Sequence, residues 1–329
     1  MEALKLAWIS EQPYTGYIDP NYPNQRIDLA WQIGLGTYHH NWAKVIENPK
    51  ILDEYDAAIF VIPKSNPQVI PYIIELINKT SCTMILMQEG PCWYWQEWNA
   101  FNQVQYYGLL KAVDGMLVHG DSDKRYYEGI AGRKCYVLPT MYNQDYCATI
   151  RLKTREEGTI IVGGNAGTWY SGEASACTIR DNPHINKILF PTMGRKKDNE
   201  DILMSVLTDK EVEYLPYLNW TEFMQQLARA KYAVHLMPAA AAGTFQLHCA
   251  ILGIPCIGNY LTDTQRILFP DLCCEVTDVS KAKELLTKLT SDKDFYNMVV
   301  DKATTNRALF SHKVRIPEIL KILQEIITQ

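Results

Sequence analysis

A chain of 329 residues is too long for one ordinary core, so two domains are expected. With 47% hydrophobic and 21% charged residues it is not a disordered chain. The net charge of −5 excludes a surface that is basic all over, though not a local basic cleft.

No apolar run reaches the ~18 residues that a spanning helix needs, so no transmembrane segment is expected. The opening Met1-Glu-Ala-Leu-Lys-Leu-Ala-Trp lacks the basic lead and long apolar stretch of a signal peptide and reads as a first strand. The nine cysteines are odd in number and form no CxxC pair. Reduced thiols in a cytoplasm fit them better than a disulfide frame or a zinc ribbon.

Short apolar runs alternate with longer helical patterns from end to end. In the first half, strands are predicted at 4–10, 57–63, 83–88, 115–119 and 135–138, and helices at 25–46, 67–78, 98–113 and 123–132. Each strand feeds a helix, which implies a parallel sheet. The polar stretch 141–158 reads as a linker. A second series follows, with strands at 159–163, 187–190, 211–215, 232–237, 255–258 and 273–276. Its helices are predicted at 221–230, 243–252, 279–290, 292–310 and 315–328. The fold class is α/β, with two Rossmann-like domains expected at 1–145 and 146–312 and a closing helix at 313–329.

The segment Tyr232-Ala-Val-His-Leu-Met-Pro-Ala-Ala-Ala-Ala-Gly-Thr-Phe-Gln-Leu-His-Cys-Ala-Ile-Leu-Gly-Ile-Pro carries the strongest functional signal. A buried strand ends, small residues make a loop through Ala242, and a helix starts near Gly243, Thr244 and Phe245. Small residues let a ligand approach the backbone, and a helix N-terminus offers free N–H groups to a diphosphate. The plain alternative is an ordinary strand–loop–helix unit with a tight turn.

Other segments offer candidates for acceptor contact. The loop after the first strand holds Tyr14, Gly16 and Asp19. The run Cys92-Trp-Tyr-Trp-Gln-Glu-Trp presents Trp93 and Trp95 as rings on which a sugar or a base can stack, or as anchors in a core. His119-Gly-Asp-Ser reads as a strand end followed by a helix cap. His39 and His40 fall on the predicted first helix and read as surface residues.

The second half resembles the donor-binding domain of glycosyltransferases of the GT-B type. Gly243-Thr244-Phe245 stands where that family has its Gly-aromatic loop, and Gly253-Ile-Pro-Cys-Ile matches its Gly-x-Pro exit. Tyr214-Leu-Pro-Tyr-Leu before the helix at 221–230 fits the loop that borders the nucleotide base, which makes Tyr217 a candidate. The resemblance implies two domains facing across a cleft, a last helix that crosses back to the first domain, and a UDP- or GDP-sugar donor. No obligatory cofactor or metal is implied, since no DxD-type dyad occurs in a strand-end loop. Many retaining members carry two glutamates around this helix; here Ala240 and His248 occupy those positions. That departure favours an inverting enzyme or an inactive homologue, and leaves His248 as the donor-ribose candidate or as an interior histidine.

A weaker local resemblance is to phage glucosyltransferases that modify hydroxymethylated DNA bases. It rests on Ile160-Ile-Val-Gly-Gly-Asn-Ala-Gly, on Asp263-Thr-Gln-Arg-Ile-Leu and on Met84-Ile-Leu-Met-Gln-Glu-Gly-Pro. It implies that Glu89 is the catalytic base and that Gly163, Gly164 and Asn165 line the donor phosphates, while Asp19, on the loop after the first strand, is the second choice of base. The Gly-Gly loop lacks the arginines of those enzymes, so Thr168, Arg266 or Arg195-Lys196-Lys197 would supply the remaining contacts.

The expected activity is therefore transfer of a sugar from a nucleotide sugar to a hydroxyl. A saccharide or small-molecule acceptor is the first expectation and modified DNA the second. A non-catalytic nucleotide-sugar binder or a sugar-nucleotide epimerase is the rival of another class.

Overall fold

The computed structural model describes residues 4–63, 66–90, 93–167, 169–194 and 197–329. The chain divides into two units. Unit 1 holds 1–22, 27–143 and 312–329, and unit 2 holds 23–26 and 144–311.

Unit 1 runs β1 (Leu6–Ser10), α1 (Ile27–Leu35), β2 (Tyr38–Asn41), α2 (Trp42–Glu47), β3 (Ala57–Phe60), α3 (Ile70–Ile77), β4 (Thr83–Met87), α4 (Ala100–Ala112), β5 (Gly115–Val118), α5 (Asp121–Ala131) and β6 (Tyr136–Val137). Its parallel sheet has the order β2-β1-β3-β4-β5-β6. β1, β3 and β5 are buried along their whole length, as strands covered on both faces must be.

Unit 2 runs α6 (Gln144–Cys147), β7 (Thr159–Val162), α7 (Gly172–Arg180), β8 (Lys187–Pro191), α8 (Lys197–Leu207), β9 (Glu211–Leu215), α9 (Trp220–Leu227), β10 (Tyr232–His235), α10 (Thr244–Ile251), β11 (Cys256–Asn259), α11 (Asp263–Leu268), β12 (Cys273–Cys274), α12 (Val279–Ser291) and α13 (Lys293–Asn306). The parallel order β12-β11-β10-β7-β8-β9 reverses direction between β7 and β10. In open α/β sheets a ligand binds beyond the strand ends at such a reversal.

The last helix, α14 (His312–Ile327), belongs to unit 1. Ile319, Leu323 and Ile326 pack with Trp8, Trp31 and Leu117 in one core cluster, while Ala7, Phe60, Leu86 and Tyr106 belong to the cluster on the other side of the sheet. Gly34 and Gly115 admit this helix: a Cβ on either would lie 2.6–2.7 Å from Ile316 or Ile326. Among the described residues, no helix is long and apolar enough to cross a membrane.

The predicted helix at 25–46 is three elements. Gly36 at φ +64° ends α1, and Tyr38–Asn41 then pairs with β1 as an edge strand. His39 and His40 are therefore buried on β2 and not on a helix surface. The helices α7, α8 and α11 were not among the predicted elements.

Candidate functional site

In unit 2, three pieces of chain meet at the reversal between β7 and β10: the loop after β7, the end of β10 and the first turn of α10. Gly163 extends the ladder, its N–H bonded to Val234 O at 2.9 Å. A Cβ on Gly163 would lie 2.3 Å from the His235 ring, and one on Gly164 would lie 2.5 Å from Tyr170. Side chains of the fold thus demand these glycines. Asn165, 2% exposed, shapes the same loop: its Oδ1 accepts from Gly167 N–H at 2.9 Å.

α10 begins on Gly243 at φ +71°, an N-cap residue with no side chain of its own to bond the first turn. A helix start leaves N–H groups without intrahelical acceptors and carries a partial positive charge, a ready anion site. Thr264 supports the turn from below, its hydroxyl donating to Gly243 O at 3.0 Å. Ala242 and Thr244 are half-buried at this turn, and Phe245 is buried with its ring edge-on to His235 at 5.1 Å.

His248 lies just over one turn into the helix. Its Nε2 accepts from Trp220 Nε1–H at 2.8 Å, and burial pulls its pKa down to about 3. The ring is neutral and ties α10 to α9. Trp220 is itself fixed by the capping box of Asn219 and Glu222 at the start of α9.

Tyr217, on the loop between β9 and α9, is 60% exposed. The guanidinium of Arg26 lies 4.3 Å from its ring centre and donates to Leu218 O at 3.0 Å. Arg26 stands beside a candidate residue from almost 200 positions away in the chain. No local sequence pattern could have announced it. Arg266, by contrast, is engaged locally, paired with Asp263 and bonded to Tyr260 O at 2.7 Å. Thr168, Arg195 and Lys196 fall outside the described residues.

In unit 1 the predicted residues gather at two strand ends. Glu89 follows β4 and, with Gln88, Tyr94, Trp95, Trp98 and Tyr106, lines a small cavity. Tyr106 donates to Gln88 Oε1 at its floor. Trp95 is 9% exposed and packs on Tyr106, whereas Trp93 is half-buried; Cys92 is outside the described residues. Beside Glu89, Gly90 N–H points at Nε2 of His119 at 3.4 Å, which brings the ends of β4 and β5 together.

The loop after β1 is pinned to β2. Ser10 donates to His39 Nε2 at 2.9 Å, and His39 Nδ1–H donates to Tyr14 O at 2.8 Å. The Tyr14 ring stacks on His39 at 4.0 Å, and its hydroxyl meets the Gln32 amide. Gly16, at φ +127°, exchanges two backbone hydrogen bonds with His39, both 3.0 Å. Asp19 is exposed, and its carboxylate accepts from Asn21 N–H at 2.7 Å, which makes a tight turn. Tyr14 and Gly16 are built into the fold, and Glu89 stands at a strand end beside a cavity. Among the described residues, no three His, Cys, Asp or Glu side chains are grouped to hold a metal.

Two parallel six-stranded α/β units of this kind define the Rossmann-like architecture of the GT-B glycosyltransferases. No protein-family model matches the chain, and no curated protein matches it. Solved structures do. The Anabaena HepE protein, in complex with UDP and glucose, aligns over 98% of this chain and 100% of its own with a TM-score of 0.71 at 8% identity. An α-glucosyltransferase in complex with UDP and a 13-mer DNA containing an HMU base aligns over 100% of both chains, with a TM-score of 0.67 at 11% identity. The sucrose-phosphate synthase of Thermosynechococcus elongatus aligns over 89% of this chain and 81% of its own, with a TM-score of 0.67 at 13% identity. At these identities the likeness is one of fold.

Proposed function

We propose that the protein is a glycosyltransferase that moves a sugar from a UDP- or GDP-sugar to a hydroxyl acceptor. The observation that carries this reading is the glycine-led start of α10 at the strand-order reversal of unit 2. The donor diphosphate would rest on the amides of the first turn, with the β7 loop at Gly163–Asn165 beside it and the base near Tyr217. Amides and the helix dipole then neutralise the leaving diphosphate, so the reading requires no metal. The solved structures with UDP bound support the choice of donor class.

Glu89 is proposed as the base. It takes the proton of the acceptor hydroxyl as that oxygen bonds to the anomeric carbon, and the nucleoside diphosphate leaves with the electrons of the broken C–O bond. One such displacement inverts the anomeric centre. Asp19 is the second choice, because its carboxylate already closes a turn.

The acceptor is first a saccharide or small molecule. A hydroxymethylated DNA base is the second reading, favoured by the full-length match to the DNA-bound α-glucosyltransferase. Incubation with a panel of nucleotide sugars, scoring nucleotide release with and without hydroxymethylated DNA, tests both. Release that rises only with that DNA selects the second. Binding without release under any acceptor makes the protein a nucleotide-sugar binder. Glu89→Gln should lower turnover about 100-fold or more with donor affinity unchanged; full activity removes Glu89 from the role.

A further inference from the structure

Under the first turn of α10 lies a polar pair that the fold leaves half-bonded. His235 is the last residue of β10 and Gln246 the third of α10. They are 6% and 2% exposed. Gln246 Nε2 donates to His235 Nδ1 at 3.3 Å, so the neutral ring carries its proton on Nε2. That Nε2–H and the amide Oε1 of Gln246 are both buried, and among the described residues neither has a partner.

A buried donor and a buried acceptor left unmade cost folding free energy, and an apolar pair of the same shape would avoid that cost. Their place is also the one where a parallel sheet of this order holds ligands, with the His235 ring against the Cα of Gly163. Tyr170 covers the histidine, its ring nearly parallel at 6.4 Å. The loop that carries Tyr170 holds the next residue, Ser171, at φ +49°, a left-handed conformation that a serine rarely adopts. Movement of Tyr170 would uncover the histidine.

One donor and one acceptor side by side select the occupant. A phosphate or carboxylate oxygen would face the amide oxygen unfavourably, and an ammonium would face the N–H. A hydroxyl matches both, since it gives one hydrogen bond and accepts another. We propose that His235 Nε2–H and Gln246 Oε1 together bind one hydroxyl of the donor sugar, once Tyr170 has swung off the imidazole. This inference rests on the donor-binding reading above and names the part of unit 2 that reads the sugar.

The test is calorimetric titration of the full chain with UDP and GDP, and then with the glucose and monodeoxyglucose derivatives of whichever binds, taken here as UDP. One deoxy sugar should bind about tenfold more weakly than UDP-glucose. That difference should vanish in His235→Phe and in Gln246→Met, while both variants keep the wild-type affinity for UDP. The proposal is overturned if every deoxy sugar binds like UDP-glucose. It is also overturned if the variants lose UDP and UDP-glucose affinity in equal measure, because the pair then merely props the helix. The deoxy series on the wild-type chain needs no variant, so a misfolded substitution does not block the answer. A wild-type chain that binds no nucleotide at all removes the donor reading and this inference with it. Binding of UDP-glucose with a flat deoxy series removes the inference alone.

Discussion

Gly243 answers two constraints at once. Its φ of +71° disfavours any L side chain, and a Cβ there would lie 1.5 Å from Thr264 Oγ1 and 2.6 Å from Thr262 Cγ2. Gly243→Ala should therefore destabilise the protein by about 2–4 kcal/mol, read as a lower midpoint in chemical denaturation. The buried histidines make a second prediction. Burial lowers the pKa of His39 and His235 to about 4 and of His248 to about 3, from 6.5 when exposed. The folded state favours the neutral rings, so this contribution to stability is whole above pH 6.5 and drains away as pH falls from there through 4. Thermal midpoints should decline over that window. His248→Gln, which can still accept from Trp220 but does not titrate, should show a shallower decline. The glycines of the site were legible in the sequence, but their cause was not. They read as room for a ligand, whereas the space beside Gly163, Gly164 and Gly243 is taken by His235, Tyr170 and Thr264.

The elements most readable in the sequence were the buried strands, because a strand covered on both faces is a continuous apolar run. β3, β4, β5, β7 and β10 all lie within their expected ranges. β2 escaped because Tyr38-His-His-Asn carries no apolar run; its burial comes from Ser10, Tyr14 and Tyr55, which bond or stack with its rings. Glu89 was legible as the acidic residue at a strand end, but the cavity beside it was not, since its walls come from three stretches of chain. A further element-scale prediction concerns Arg229, just after α9. It bridges Glu213 on β9 and Glu156 before β7, with contacts of 2.6 Å to each. These bonds hold the Glu213 carboxyl down at about pH 2, well below its ordinary 4.5. Their stabilisation is full above pH 4.5 and is lost as the solution is acidified toward 2. Arg229→Met should cost about 2 kcal/mol at neutral pH and lessen that acid dependence, with Lys187 still paired to Glu213 at 2.8 Å, measured by urea titration at several pH values.

At the scale of the whole molecule, unit 1 is discontinuous and unit 2 nearly continuous. The short segment at 23–26 leaves unit 1 to join unit 2, where Pro23 O accepts from Thr221 N–H at 3.1 Å. α14 returns to finish a core that contains Trp8, Trp31 and Leu117. Leu323, fully buried there, is the residue to remove: Leu323→Ala should cost about 2–5 kcal/mol. In calorimetry the loss should appear in the melting of unit 1, with the melting of unit 2 unchanged.

The same arrangement sets the order of events on the ribosome. Domains generally fold as units while the chain emerges, the earlier ones first. Here the earlier sheet cannot be roofed on one face until residues 312–327 have been made, because they form its covering helix. Unit 2 has all its parts, including 23–26, before that helix exists. The later-born half should mature first, and the nascent protein carries a bare tryptophan-bearing surface until α14 has been made. A chain cut before His312 should show itself as aggregation of the first-made half.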